Sequence, residues 1–325
     1  MLGLGAAFSP LAGAATSEGS AGSVPGARSR WFTTSDGVRL HYVEAGAPSA
    51  GSGAATVVFV PGWTMPAWIW AAQIEQLAAH ARVLALDPRG QGRSESAREG
   101  YHHARRAADI GELLTAARCL DPPFVPVVLV GWSLGVLESL QYLHDARRAG
   151  AATPVRALVL VDNSVGVGDP PAGDPTFFAR LRGKRRETVS GFVASMFKRP
   201  TDPRWREALV EAALRTPLQA SIDLLRQPRP REFWRDALYA TTLPVLYATT
   251  PKFARQAEIV KAHRPAIETR LFADAGHALF VDEAAAFNDM LAQFVGRTAG
   301  GPAATGTLER AAARSAGAAS AGAGR

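Results

Sequence analysis

The sequence predicts an α/β fold: a mainly parallel eight-stranded sheet with helices on both faces and a helical cap inserted after the sixth strand. Three observations predict it. Short strand-like runs recur at 56–60, 82–87, 125–130, 155–161, 243–248 and 268–273, separated by helical patterns. Strands apolar on both faces are buried from both sides, and strands alternating with helices join by right-handed crossovers into a parallel sheet. One of these runs flows into Gly131-Trp132-Ser133-Leu134-Gly135 and then into a helical pattern over 136–148, which puts Ser133 on a strand-to-helix turn. Finally, about eighty residues separate the strands ending at 161 and starting at 243, far more than an ordinary connection needs.

Taken in order, residues 1–28 are rich in Ala, Gly and Ser and are expected to form a flexible segment. The apolar stretch 2–15 ends in Ala12-Gly13-Ala14, like a signal-peptide cleavage site, but no positive n-region precedes it. A partial signal peptide and a plain tail both stay open, and with them an exported or a cytoplasmic location. Alternation over 31–44, broken by Ser35-Asp36-Gly37, predicts a β-hairpin. The strand at 56–60 ends in Pro61-Gly62-Trp63. A helix at 67–80, the strand at 82–87, the turn-rich Asp87-Pro88-Arg89-Gly90-Gln91-Gly92-Arg93-Ser94 and a helix at 105–119 follow. After the strand at 155–161, which runs into Asp162-Asn163, helical pieces are expected at 175–184, 189–197, 203–215 and 218–226. They make the expected cap, 164–240, whose Phe177, Phe178, Phe192, Phe197, Trp205, Phe233 and Trp234 suit a lid or its core. The α/β core is then 29–163 with 241–298, closed by a helix at 283–294, and 299–325 is expected to be a disordered tail.

Composition narrows the class. A chain of 325 residues with 47% hydrophobic content buries a full core. No apolar run reaches the roughly 20 residues that span a bilayer, so no integral membrane segment is expected. The net charge of +7 comes from arginines spread along the chain, with no basic stripe interleaved with aromatics, so nucleic acid is not an expected partner. The densest cluster, 180–186, reads as a solvated helix face. Cys119 is the single cysteine, which excludes an internal disulfide and a cysteine ligand cluster. No metal or dinucleotide fingerprint stands out, and no cofactor is expected. Oligomeric state is not legible.

Four motifs appear in sequence: Val60-Pro61-Gly62-Trp63, Asp87-x-Arg89-Gly90-x-Gly92-x-Ser94, Gly131-x-Ser133-x-Gly135 and Gly276-His277. In this order they resemble those of the α/β-hydrolase superfamily, over roughly residues 31–294. The resemblance implies a catalytic triad with Ser133 as nucleophile and His277 as base. A serine hydroxyl is too weakly acidic to attack unaided, and histidine has the pKa to take its proton. His41, His80, His102, His103, His144 and His263 read as solvated or locally bonded. The oxyanion hole is expected from the backbone N–H groups of Trp63 and Leu134. The family's usual His-Gly is Pro61-Gly62 here, a departure that keeps the backbone role. The segment from Asp87 to Ser94 reads as a turn that pins its own loop.

The third triad member departs from the commonest pattern. The loop after the strand at 243–248 reads Thr249-Thr250-Pro251-Lys252-Phe253-Ala254-Arg255, with no carboxylate, and Phe253 stands about where the acid belongs. Some relatives carry the acid one strand earlier, which makes Asp162 the candidate and Glu258 the second. Asp274 lies too near His277 in the same loop, and Asp282 reads as the cap of the following helix. The expected function is a serine hydrolase that cleaves a carboxylic ester or related acyl bond of a small molecule through an acyl-enzyme. A non-catalytic ligand-binding protein on the same fold, and a cofactor-free perhydrolase or acyltransferase, are the alternatives.

Overall fold

Thr56–Val60 (β3) shows why the sheet forms where it does. Its side chains alternate between two cores: Val57 and Phe59 join Val128, Val130, Ala157 and Val159 on one face, and Val58 and Val60 join Leu129, Leu158 and Leu160 on the other. Period-two alternation with no polar side means a strand covered on both faces. Each such Val, Leu or Phe contributes about 1.5–3 kcal/mol by leaving water. The computed structural model describes residues 22–46, 55–121, 124–170, 173–226 and 229–299. The expected N-terminal segment up to 21 and the tail from 300 lie outside them.

The other strands are β1 (Arg28–Thr33), β2 (Arg39–Ala45), β4 (Arg82–Asp87), β5 (Val127–Trp132), β6 (Val155–Val161), β7 (Val245–Thr249) and β8 (Glu268–Leu271). They lie in the order β1-β2-β4-β3-β5-β6-β7-β8. The pairs β1/β2 and β2/β4 are antiparallel and the rest parallel. The elbow strand runs two residues beyond the expected 130, because Gly131 and Trp132 continue the ladder opposite Leu160 and Val161. Glycine in a strand reads as a turn, which hid that extension.

A single 3-10 turn, Ala67–Trp70, precedes α1 (Ala71–Leu77). All four residues of the turn are buried, so it has no polar face to show a helical period. α2 (His103–Ala116) and α3 (Leu134–Arg148) follow their strands. Among the described residues of the long interval there are five helices: α4 (Phe177–Gly183), α5 (Arg185–Ser195), α6 (Pro203–Arg215), α7 (Leu218–Leu225) and α8 (Arg231–Ala240). α8 is not among the expected pieces; prolines close the pattern just before it, and Pro230 is its N-cap residue. Its Trp234, Ala237 and Leu238 belong to the sheet-side core with α2 and α3. α9 (Ala254–His263), the single turn α10 (Leu279–Asp282) and α11 (Ala284–Ala299) are the last helices among the described residues. α11 runs past the expected 294 and covers the opposite face with α1.

His103, at the start of α2, is 4% exposed and lies edge-on to Trp234 with ring centroids 4.8 Å apart. Burial, with Arg106, Arg229 and His102 adding to it, pulls its pKa down to about 3. In the unfolded chain it titrates near its ordinary 6.5. Between these values the unfolded state binds the extra proton, so this part of the stability is complete above pH 6.5 and is lost as pH falls toward 3. His103→Gln is expected to remove about 3 kcal/mol of the stability change between pH 7 and pH 4. Urea midpoints of the two proteins check it; parallel pH curves would assign the acid sensitivity to another group.

Candidate active site

Ser133 stands between β5 and α3 with φ 53° and ψ −120°. A non-glycine residue in that region is strained and persists only where its surroundings hold it. They do so here. Its N–H donates to the Val161 carbonyl at 3.0 Å, and its own carbonyl accepts from the Val136 N–H at 3.0 Å and from Asn163 Nδ2 at 2.7 Å. A Cβ on Gly135 would fall 2.3 Å from the Val60 carbonyl oxygen, and one on Gly62 only 2.9 Å from Ser133 Cβ. The Gly62-Trp63 turn and the N-terminus of α3 therefore flank the serine.

His277 lies in the loop after β8. Its Nδ1 is 2.8 Å from Asp162 Oδ2, and its ring rests against Trp132, the residue before Ser133, at 5.2 Å between centroids. The Trp132 indole N–H donates to the His277 carbonyl at 2.8 Å. Asp162 is fully buried at the end of β6 with φ 46°, and its second oxygen accepts the Thr250 N–H at 2.6 Å. A carboxylate only accepts, so the imidazole proton sits on Nδ1 and Nε2 keeps its lone pair. The structure thus brings Asp162 to His277 and sets their loop against the elbow. It does not bring Glu258, which is exposed on α9 and paired with Arg255 at 2.8 Å. The loop after β7 contributes only backbone: Thr250 donates to Asp162, while Phe253 turns into the core, 3% exposed.

Trp63 is 2% exposed. Its indole N–H donates to the Ser221 carbonyl of α7 at 2.7 Å, and its ring meets Phe177 of α4 and Phe192 of α5 edge-on, at 5.6 and 4.9 Å. Phe233 and Trp234 lie elsewhere, against His144 and His103 on the sheet-side face.

The segment from Asp87 to Ser94 is a pin, as its turn chemistry predicts. Asp87 accepts the Ala67 N–H at 2.5 Å, the Arg93 N–H at 2.9 Å and His41 Nδ1 at 2.7 Å, while Arg89 forks onto Asp109 at 2.7 Å through two nitrogens. His41 Nε2 is also 3.0 Å from Ser29 Oγ, which makes a second Ser-His-Asp string. It differs in its serine: Ser29 lies in edge strand β1 in regular pairing with Val43, not on an elbow.

Sequence reasoning missed Asn163 and Thr250 as supports, because one backbone N–H and one amide leave no pattern. Asp282 is also misread as a helix cap. It accepts the Gly276 N–H at 2.7 Å and the Lys198 N–H at 2.8 Å, which ties the histidine loop to the segment between α5 and α6. Among the described residues, no helix is long and apolar enough to cross a membrane.

A family model described as "Alpha/beta hydrolase family" matches residues 57–290. A curated relative, pimeloyl-(acyl-carrier protein) methyl ester esterase of Klebsiella pneumoniae, is 29% identical over 261 residues, 74% of this chain and 93% of that protein. The esterase EaEST from Exiguobacterium antarcticum superposes with a TM-score of 0.69 at 21% identity, covering 82% of this chain and 99% of that one. A hydrolase from Pseudomonas aeruginosa gives 0.65 at 26% identity, covering 83% and 98%. Sheet order, elbow and family match agree, and the chain belongs to the α/β-hydrolase family as one of its enzymes.

Proposed function

We propose that the protein is a serine esterase that cleaves a carboxylic ester of a small molecule through an acyl-enzyme, with Ser133, His277 and Asp162 as its triad. The observation that carries the reading is the 2.8 Å contact between His277 Nδ1 and buried Asp162, held against a strained elbow serine. The esterase names of several relatives support it. Ser133 Oγ attacks the ester carbonyl as its proton passes to His277 Nε2, and the tetrahedral oxyanion is held by the N–H groups of Trp63 and Leu134. Collapse expels the alcohol, which takes the proton from His277. Water then attacks the acyl-serine by the same route in reverse, releasing the acid and restoring the hydroxyl. The apolar rings of Phe177 and Phe192 against Trp63 support an apolar acyl group.

Intact-mass measurement after incubation with a fluorophosphonate tests the reading without knowledge of the substrate. One adduct on the wild type and none on Ser133→Ala is expected. A folded wild type that takes no adduct overturns the proposal in favour of a ligand-binding protein.

A further inference from the structure

The turn carrying Trp63 is strained in its own right. Thr64 has φ 59°, which is an outlier for a β-branched residue. Within the turn, the Met65 N–H donates to the Gly62 carbonyl at 3.2 Å and Thr64 Oγ1 to the Trp63 carbonyl at 2.7 Å. A strained turn of this kind needs more than its own bonds to hold one shape.

The rest comes from Gln91, in the middle of the pinned loop and completely buried. Its Nε2 donates to both carbonyls that bracket the turn, Gly62 at 3.0 Å and Met65 at 2.9 Å. Its Oε1 accepts Arg106 Nη1 at 2.7 Å. The amide has one orientation here, because a guanidinium only donates and a carbonyl only accepts. Arg106, 1% exposed, in turn pairs with Glu138, also 1% exposed, at 2.7 Å from Nε to Oε1. Glu138 sits on α3 four residues after Leu134, one turn along the same face.

We infer that Gln91 is a positioning residue: through Arg106 and Glu138 it fixes the Trp63 turn relative to the N-terminus of α3, and so sets the spacing of the two oxyanion donors. The inference rests on the proposed serine mechanism. Burying an ion pair is weak evidence for stability, since the desolvation of both ions opposes their attraction. A string that joins the two donor-bearing elements gives the pair a positional role.

The test uses Gln91→Met, which keeps length and removes all three bonds, and Gln91→Glu, which keeps an acceptor for Arg106 and loses the donors to the turn. Rates on p-nitrophenyl acetate are expressed per site titrated with fluorophosphonate, so any unfolded fraction drops out. Both variants should lose about ten- to a hundredfold in kcat with KM within about twofold, and should label Ser133 to completion but more slowly. Gln73→Met is the control. Gln73 is another fully buried glutamine, bonded to the Phe280 carbonyl and Asn288 at 2.9 Å each, and its loss should lower the melting temperature with kcat per site unchanged. If Gln91→Met does not fold, Gln91→Glu carries the test alone. Wild-type kcat per site in the Gln91 variants, or an equal loss in Gln73→Met, overturns the inference. A wild type that fails to label overturns the serine mechanism instead.

Discussion

Asp162→Asn is expected to lower kcat on an aryl ester about ten-thousandfold while the protein stays folded and KM changes little. Asparagine has nearly the same volume, and its carbonyl can still accept the Thr250 N–H that the carboxylate accepts at 2.6 Å. That satisfied bond turns the amide NH2 toward His277 Nδ1. An NH2 donates, so Nδ1 must accept and the imidazole proton moves to Nε2, where the base needs a lone pair. The charge that stabilises the imidazolium is lost as well. Glu258→Gln is expected to leave kcat within about twofold, since Glu258 meets only Arg255 on the outer face of α9. Steady-state kinetics of both variants check the assignment; the opposite ranking would give the acid to α9.

Gly135→Ala is expected to abolish esterase activity and to cost about 1–3 kcal/mol or more of stability. The new methyl would lie 2.3 Å from the Val60 carbonyl oxygen and 3.0 Å from that of Pro61. Both are backbone atoms of β3 and the chain just after it, so no rotamer change relieves the clash. α3 has to back away from the sheet, and the Leu134 N–H moves with it. Gly191→Ala separates this effect from the general consequence of adding a methyl. Gly191 is exposed within α5 with nothing within 4 Å of its added Cβ, and the substitution should stabilise by about 0.5–1 kcal/mol. Melting curves and kcat of the pair decide the matter; full activity in Gly135→Ala would show that the elbow tolerates a wider gap.

The parts of the fold legible in the chain are those whose signal is local. β3, β4 and β6 fall at their expected bounds because a largely apolar run ends at a polar or glycine-containing turn. Gly131 and Trp132 escaped because their strand character comes from pairing with β6, a tertiary fact. The helix at 67–80 is partly a 3-10 turn because Trp68, Ile69 and Trp70 are all buried, which erases periodicity. At the site, the pairing of Asp162 with His277 could be argued from an absence, the missing carboxylate after β7. The supports could not. Gln91 sits inside a motif that reads as a turn, and its two bonds run to backbone carbonyls 26 and 29 residues away, which carry no side-chain identity to read.

Asp282 has one more consequence. Its carboxylate accepts amide protons from Gly276, beside His277, and from Lys198 and Arg199, at the joint between α5 and α6. One carboxylate therefore fastens the backbone beside His277 to the joint between α5 and α6. The Trp63 indole makes a second tie, to α7, through a hydrogen bond worth about 1 kcal/mol, beside its ring contacts with Phe177 and Phe192. Helices of the long interval thus bear on both segments beside Ser133, the turn that carries Trp63 and the loop that carries His277, so a shift among them reaches the serine from two directions.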